Sequence, residues 1–279
     1  MTPRLRPMTL DDIDPAVTAI LADDWGDRRA WFEFTLRNDA CHSMVADIDG
    51  EVVGTGVATV NGPVAWVGTI WVARDHRRRG LGRALTDAVV DIATANGART
   101  LLLVATDRGR PLYERSGFEV QTWYRTFEAP GLGGGDAATG TGIRAFRAAD
   151  VDAIAALDHV ATGEDRRSVL EELATPAGTR VLDTGGGELG GFVIRAPWGG
   201  GATVAPRLDD ALSIVEARRR ASTPDKRVRC GILLENGPGA EALERAGWTE
   251  AWRAPRLVRG APLTWHPDQI WGQFNHAMG

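Results

Sequence analysis

The apolar positions of the chain follow two periods. Segments 43–49 (SMVADID), 51–60 (EVVGTGVATV) and 65–72 (AWVGTIWV) are rich in β-branched residues and split by Asp-Gly and Asn-Gly pairs, which predicts strands joined by tight turns. An opening strand at Arg4–Pro7 is followed by TLDDID, a helix start with Thr9 as cap and acids at the positive end of the helix dipole. From Leu81 to Ala95, residues Leu81, Leu85, Ala88, Val89 and Ile92 share one helical face. Residues 98–106 (ARTLLLVAT) read as a buried strand, 109–117 (GRPLYERSG) as a short helix ended by Gly117, and 118–128 (FEVQTWYRTFE) as a last strand. The predicted class is α+β, with a mixed sheet and helices on both faces.

The same order recurs in the second half. LRPMTLDDID from Leu5 aligns with IRAFRAADVD from Ile143 at an offset of 138, and GRPLYERSGF from Gly109 with GAEALERAGW from Gly239 at 130. Between them, WGDRRA at Trp25 is echoed by GEDRRS at Gly163. Matching order at nearly constant spacing predicts a duplicated domain. The glycine-rich, nearly uncharged stretch APGLGGGDAATGTG predicts a flexible connector. The expected organisation is a domain over 1–128, a linker over 129–142 and a second copy over 143–279.

Composition narrows the function classes. With 43% hydrophobic and 25% charged residues and a net charge of -5, the 279-residue chain reads as a soluble globular protein. A pI near 5.6 argues against nucleic-acid binding. No apolar run approaches the roughly 18 residues of a membrane span, and the N-terminus has no apolar signal region, so a cytoplasmic protein without a membrane partner is expected. Cys41 and Cys230 read as lone buried thiols of a reducing compartment. The five histidines have no ligand spacing, so no metal is expected.

One segment departs from this even background. VARDHRRRGLGRAL, from Val72, crowds positive side chains around two glycines where a strand feeds a helix. Free N–H groups at a helix N-terminus form an anion site, and Gly80 and Gly82 let a pyrophosphate approach the backbone. Arg77, Arg78, Arg79 and Arg83 supply charge. The segment is neither a Walker A loop nor a dinucleotide fingerprint, and taken alone it also reads as a solvated arginine-rich turn.

With its flanks, IWVARDHRRRGLGRAL resembles the acyl-CoA-binding motif of the GNAT N-acetyltransferase superfamily, and GRPLYERSGF resembles that superfamily's Leu-Tyr-Glu-x-x-Gly-Phe segment. The resemblance implies two tandem GNAT-like domains, each a mixed, largely antiparallel sheet flanked by helices. It implies acetyl-CoA as co-substrate, with the backbone of Val72 pairing with the pantetheine arm and Ile70, Trp71 and Thr106 among the cofactor contacts. Arg77, Arg78, Arg79, Gly80, Leu81, Gly82 and Arg83 would wrap the pyrophosphate. Arg74 stands where a proline is common, and Thr106 where many relatives carry Asn. Backbone N–H groups would polarise the thioester where the strands ending at Val72 and near Thr106 splay apart. Tyr113 would be the general acid.

The general base stays unassigned among Asp23, Asp24, Glu33, Asp107 and water. Trp25 and Trp31 fall where relatives build the acceptor pocket. In the second copy, five residues are missing where the phosphate loop should be, Asp209 and Asp210 stand there instead, and Tyr113 aligns with Leu243. That copy is expected to have lost acyl-CoA binding and to support the acceptor site or a homodimer. Its Asp158, Asp165 and Arg166 read as cavity-lining or salt-bridged. The expected function is N-acetyl transfer to a small-molecule or peptide amine; the alternative is a non-catalytic acyl-CoA-binding regulatory module.

Overall fold

The computed structural model describes residues 3–135 and 142–279. The first copy runs β1 (Arg4–Pro7), a 3₁₀ turn at Leu10–Asp12, α1 (Ile13–Leu21), α2 (Arg29–Thr35), β2 (Cys41–Ile48), β3 (Glu51–Asn61), β4 (Val64–Val72), a 3₁₀ turn at Arg74–His76, α3 (Leu81–Ala95), β5 (Thr100–Val104), α4 (Arg110–Arg115) and β6 (Glu119–Pro130). The second copy repeats this order as β7 (Ile143–Ala145), α5 (Val151–Thr162), α6 (Arg167–Leu173), β8 (Thr179–Gly185), β9 (Glu188–Arg195), β10 (Gly201–Val204), α7 (Leu208–Arg220), β11 (Arg227–Leu233), α8 (Gly237–Arg245) and β12 (Thr249–Gly260). It then adds β13 (Ile270–Gly272).

An ion triad repeats with the elements. Arg6 binds Asp12 through both guanidinium nitrogens at 2.7 Å and reaches Asp47 at 3.2 Å. Arg144, 138 residues on, does the same to Asp150 and Asp183 at 2.8 Å. Each triad ties the first strand of its copy to the turn that opens the first helix. Thr9 donates its hydroxyl and N–H to Asp12, so the carboxylate closes the turn that Thr9 was expected to cap.

The chain forms two compact units that are not continuous in sequence. Unit 1 takes the chain up to Glu119 and adds Leu257–Pro262 and His276–Gly279; unit 2 comprises Val120–Arg256 and Leu263–Asn275. The expected boundary after residue 128 falls inside β6, which pairs with β11 as far as Pro130. Gly131, Leu132, Gly133 and Gly134 are then tied by backbone bonds to Lys226, Arg219, Ser222 and Arg220. The stretch expected as linker is therefore anchored over these residues, and 136–141 lie outside the described residues.

Within unit 1, β1 to β5 form one sheet in chain order, antiparallel up to β4 and parallel between β4 and β5. Helix α3 covers one face, with Leu85 and Val89 lying where Cβ atoms on Gly54 and Gly56 would collide. On the other face, Thr59 Oγ1 donates to the carbonyl of Ala277, and a Cβ on Gly68 would come within 2.2 Å of Ala277. The last residues of the chain are thus seated against β3 and β4. Beyond β5 the sheet is continued by the end of β12, where Ala261 donates to Arg99 and accepts from Thr100.

Candidate active site

Parallel pairing of β4 with β5 covers only Val64↔Thr100, Ala65↔Leu101 and Trp66↔Leu102. Beyond that point the strands part, and a local cause is visible. Opposite Thr55–Val57 of β3, β4 carries an extra residue, with Thr69 at a φ of +51°. Such a bulge bends its strand away from the neighbour. It is pinned on both sides: the Trp31 indole of α2 donates to Thr69 Oγ1 at 2.9 Å, and Thr55 Oγ1 donates to the Thr69 carbonyl at 2.8 Å.

At the mouth of this wedge the chain turns into α3. Gly80 caps the helix at φ +82°, a left-handed conformation that costs an L-residue strain. The first helical bond runs from Ala84 N–H to the Gly80 carbonyl, so the N–H groups of residues 81–83 project from the end of a 15-residue helix. Among the described residues nothing lies within 4 Å of where a Cβ on Gly80 would sit, and no side chain caps the helix. Among the described residues, Arg78 and Arg79 are exposed and form no ion pair, and Arg83 has only Asp87 at 3.5 Å on the helix surface. The amides and two uncommitted guanidiniums suit a phosphate group.

Helix α4 closes the other side. Leu112 lies 3.6 Å from where a Cβ on Gly82 would sit, which brings α4 beside the start of α3. Tyr113, one residue on, packs edge-to-face on Phe118 at 6.2 Å, and its hydroxyl makes no hydrogen bond among the described residues. Burial pushes the phenol up to about 12, so it holds its proton throughout the neutral range.

Residues 8–118 match the sequence model of the Acetyltransferase (GNAT) family. Over those residues the chain is similar to GNAT acetyltransferases. Uncharacterized N-acetyltransferase YitH of Bacillus subtilis is 25% identical over 238 residues, covering 84% of this chain and 83% of that protein. A candidate acetyltransferase from Pyrococcus horikoshii superposes with a TM-score of 0.81 at 22% identity, over 100% of this chain and 96% of that one. A tandem GNAT protein from the clavulanic acid biosynthesis pathway gives 0.61 at 19% identity, over 93% and 99%. The fold is that of a two-copy GNAT protein.

Several residues of the first copy sit otherwise than the motif suggested. Arg77 turns away from the helix end: its Nε donates to the Val72 carbonyl at 2.7 Å and its Nη2 pairs with Asp23. Asp23 also takes Arg74 Nε at 2.9 Å and the Trp71 indole at 3.0 Å, with its carboxylate almost fully enclosed. This clamp of the α1–α2 connection onto the loop was not legible, because its partners lie 48 to 54 residues away without a local pattern. Ile70 and Val72 pack toward the α3 side with Leu81, so they offer the wedge backbone only. Thr106 is exposed and holds the turn into α4, its Oγ1 and carbonyl accepting the Gly109 N–H. Trp31 is buried against Phe34 and Thr69, while Trp25 is 36% exposed. Asp24, Glu33 and Asp107 are exposed.

The second copy differs at each of these points. Strand β10 pairs antiparallel with β13, not with β11. Cys230 Sγ donates to the Trp271 carbonyl at 3.1 Å and Gln273 donates to the Gly231 carbonyl at 3.0 Å, so β13 fills the gap between β10 and β11. Helix α7 opens with Arg207, Leu208, Asp209 and Asp210, and Leu243 is fully buried in the core. Asp158 and Arg166 form a buried ion pair at 2.8 Å, while Asp165 is exposed. Among the described residues no cluster of His, Cys, Asp or Glu could hold a metal, and no helix is long and apolar enough to cross a membrane.

Proposed function

We propose that this chain is an acetyl-CoA-dependent N-acetyltransferase acting on a primary amine, with the chemistry confined to the N-terminal copy. The observation that carries the reading is the wedge beyond Trp66↔Leu102, flanked by the α3 amides on one side and the protonated Tyr113 on the other. Acetyl-CoA supplies an acyl group activated as a thioester. The N–H groups of Leu81, Gly82 and Arg83, with Arg78 and Arg79, hold its phosphates. Backbone groups of β4 beyond Trp66 orient the pantetheine arm and polarise the carbonyl. Tyr113 gives its proton to the departing sulfur. Trp31 and Trp25 wall the acceptor side. The cytoplasm is the proposed compartment, since Cys41 and Cys230 are buried and form no disulfide among the described residues.

A second reading, an acyl-CoA-binding module without turnover, is favoured by one observation: Asp23, the enclosed candidate base, is committed to two arginines and an indole. Free-thiol release from acetyl-CoA with a panel of amines separates the two readings. Both protein thiols are buried, so a thiol reagent reports released CoA. Amine-dependent release supports transfer; tight CoA binding without release supports the module; no CoA binding removes both.

A further inference from the structure

Unit 2 holds a cavity of about 430 Å³ between α7 and the strands beneath it. Six cationic residues line it: Arg180 of β8, Arg195 of β9, Arg218 of α7, and Lys226, Arg227 and Arg229 at the start of β11. No Asp or Glu is among its lining residues, in a chain whose net charge is -5. Arg229 has Glu128 at 3.7 Å, and Arg180 spends one nitrogen on the carbonyls of Pro176 and Thr179. Arg195, Arg218, Lys226 and Arg227 form no ion pair among the described residues.

Arg218 is the informative member. Its Nη1 is shut off from solvent and has no hydrogen-bond partner among the described residues. Burial, together with the like charge of Arg195, pulls its pKa down, yet a guanidinium stays charged at any physiological pH. A cation with an enclosed nitrogen and no counter-charge is costly, and like charges brought together raise that cost. An anion from outside the chain removes both penalties.

Apart from Arg229, which aligns with Arg99, the cluster is particular to this copy. By the repeat offsets of 138, 127 and 130, Arg180 stands where the first copy has His42, Arg218 where it has Asp91, and Lys226 and Arg227 where it has Asn96 and Gly97. Ile143, Val193, Ile214 and Val228 give the cavity an apolar wall. A pocket of this size takes a small molecule, and guanidinium forks grip phosphate or carboxylate through paired hydrogen bonds.

We propose that the second copy binds a small organic polyanion, a metabolite carrying two or more phosphate or carboxylate groups on a short carbon skeleton. The test is thermal shift and calorimetry on the full chain with fructose 1,6-bisphosphate and citrate, against sodium sulfate at matched ionic strength. One probe stabilises the protein beyond the sulfate baseline, and which one does so distinguishes a phosphate from a carboxylate ligand. Arg218→Met weakens that binding at least tenfold while raising the melting temperature of the unliganded protein. The exposed Arg195→Gln, which does not endanger folding, weakens binding in the same direction. Arg78→Ala/Arg79→Ala, altered in the first copy, leaves it intact. Lys226 is the single lysine of the chain, so its acetylation by an N-hydroxysuccinimide ester, read by mass spectrometry, slows several-fold with the probe bound. The proposal is overturned if neither probe exceeds sulfate, if Arg195→Gln binds as well as wild type, or if the Arg78/Arg79 variant loses the effect.

Discussion

Tyr113 combines a ring packed on Phe118 with a hydroxyl that has no hydrogen-bond partner among the described residues, which suits a proton donor better than a structural hydrogen bond. Tyr113→Phe should keep the fold and its melting temperature but lower kcat by about 10²–10⁴, the usual range for losing a general acid. Asp23 acts through other residues. Asp23→Ala leaves Arg77 and Arg74 without their carboxylate and should lower stability by roughly 2–4 kcal/mol in denaturant unfolding, with CoA affinity falling alongside as the loop loosens. His276 sets a pH dependence. Burial, and to a lesser extent Arg28, lowers its pKa to about 4, so the folded chain keeps the ring neutral while the unfolded chain takes up a proton below about 6.5. Its contribution is present above that value and is lost as pH falls toward 4, at a cost of about 3 kcal/mol. A second loss follows in stronger acid, where Asp12, held at about 2 by Arg6, is forced to protonate. Urea melts across pH 2–8 should show both steps, with His276→Gln removing the first.

At the scale of elements, the two glycines of the loop do different work. Gly80 needs its positive φ, so Gly80→Ala should cost about 1–2 kcal/mol through strain although nothing occupies the space beside it. A Cβ at Gly82 meets Leu112 and Val72 at ordinary contact distances of 3.6 and 3.8 Å. Gly82→Ala should therefore stabilise α3 by up to about 1 kcal/mol while weakening CoA binding, a divergence that calorimetry and thermal melts can read together. Helix α3 spans the residues that the apolar period marked out, because Gly80 and the repeat of Leu81, Leu85 and Val89 are both local signals. The bulge at Thr69 was not legible: its cause is a register mismatch with β3 and a hydrogen bond from Trp31, 38 residues away. The basic cavity escaped for the same reason, since its cations come from four separate elements.

At the scale of the molecule, duplication was readable because paired segments keep their order, and the repeated Arg–Asp–Asp triad is its physical counterpart. The return of the chain to unit 1 was not readable. His276–Gly279 is too short to show a period, and one hint was Gly68, a glycine inside a strand that marks a close backbone approach. A fragment of residues 1–128 lacks both segments that complete unit 1, so it should show weak near-ultraviolet dichroism and bind CoA poorly, unlike the full chain. The seat of Ala277 beside Gly68 carries a timing consequence. On the ribosome, at roughly 5–20 residues per second, the first copy emerges about 7–30 seconds before the residues that finish it. Nascent chains halted anywhere short of Ala277 would present an unfilled groove to chaperones and proteases, and CoA binding by the first copy should appear only once Ala277 has cleared the exit tunnel.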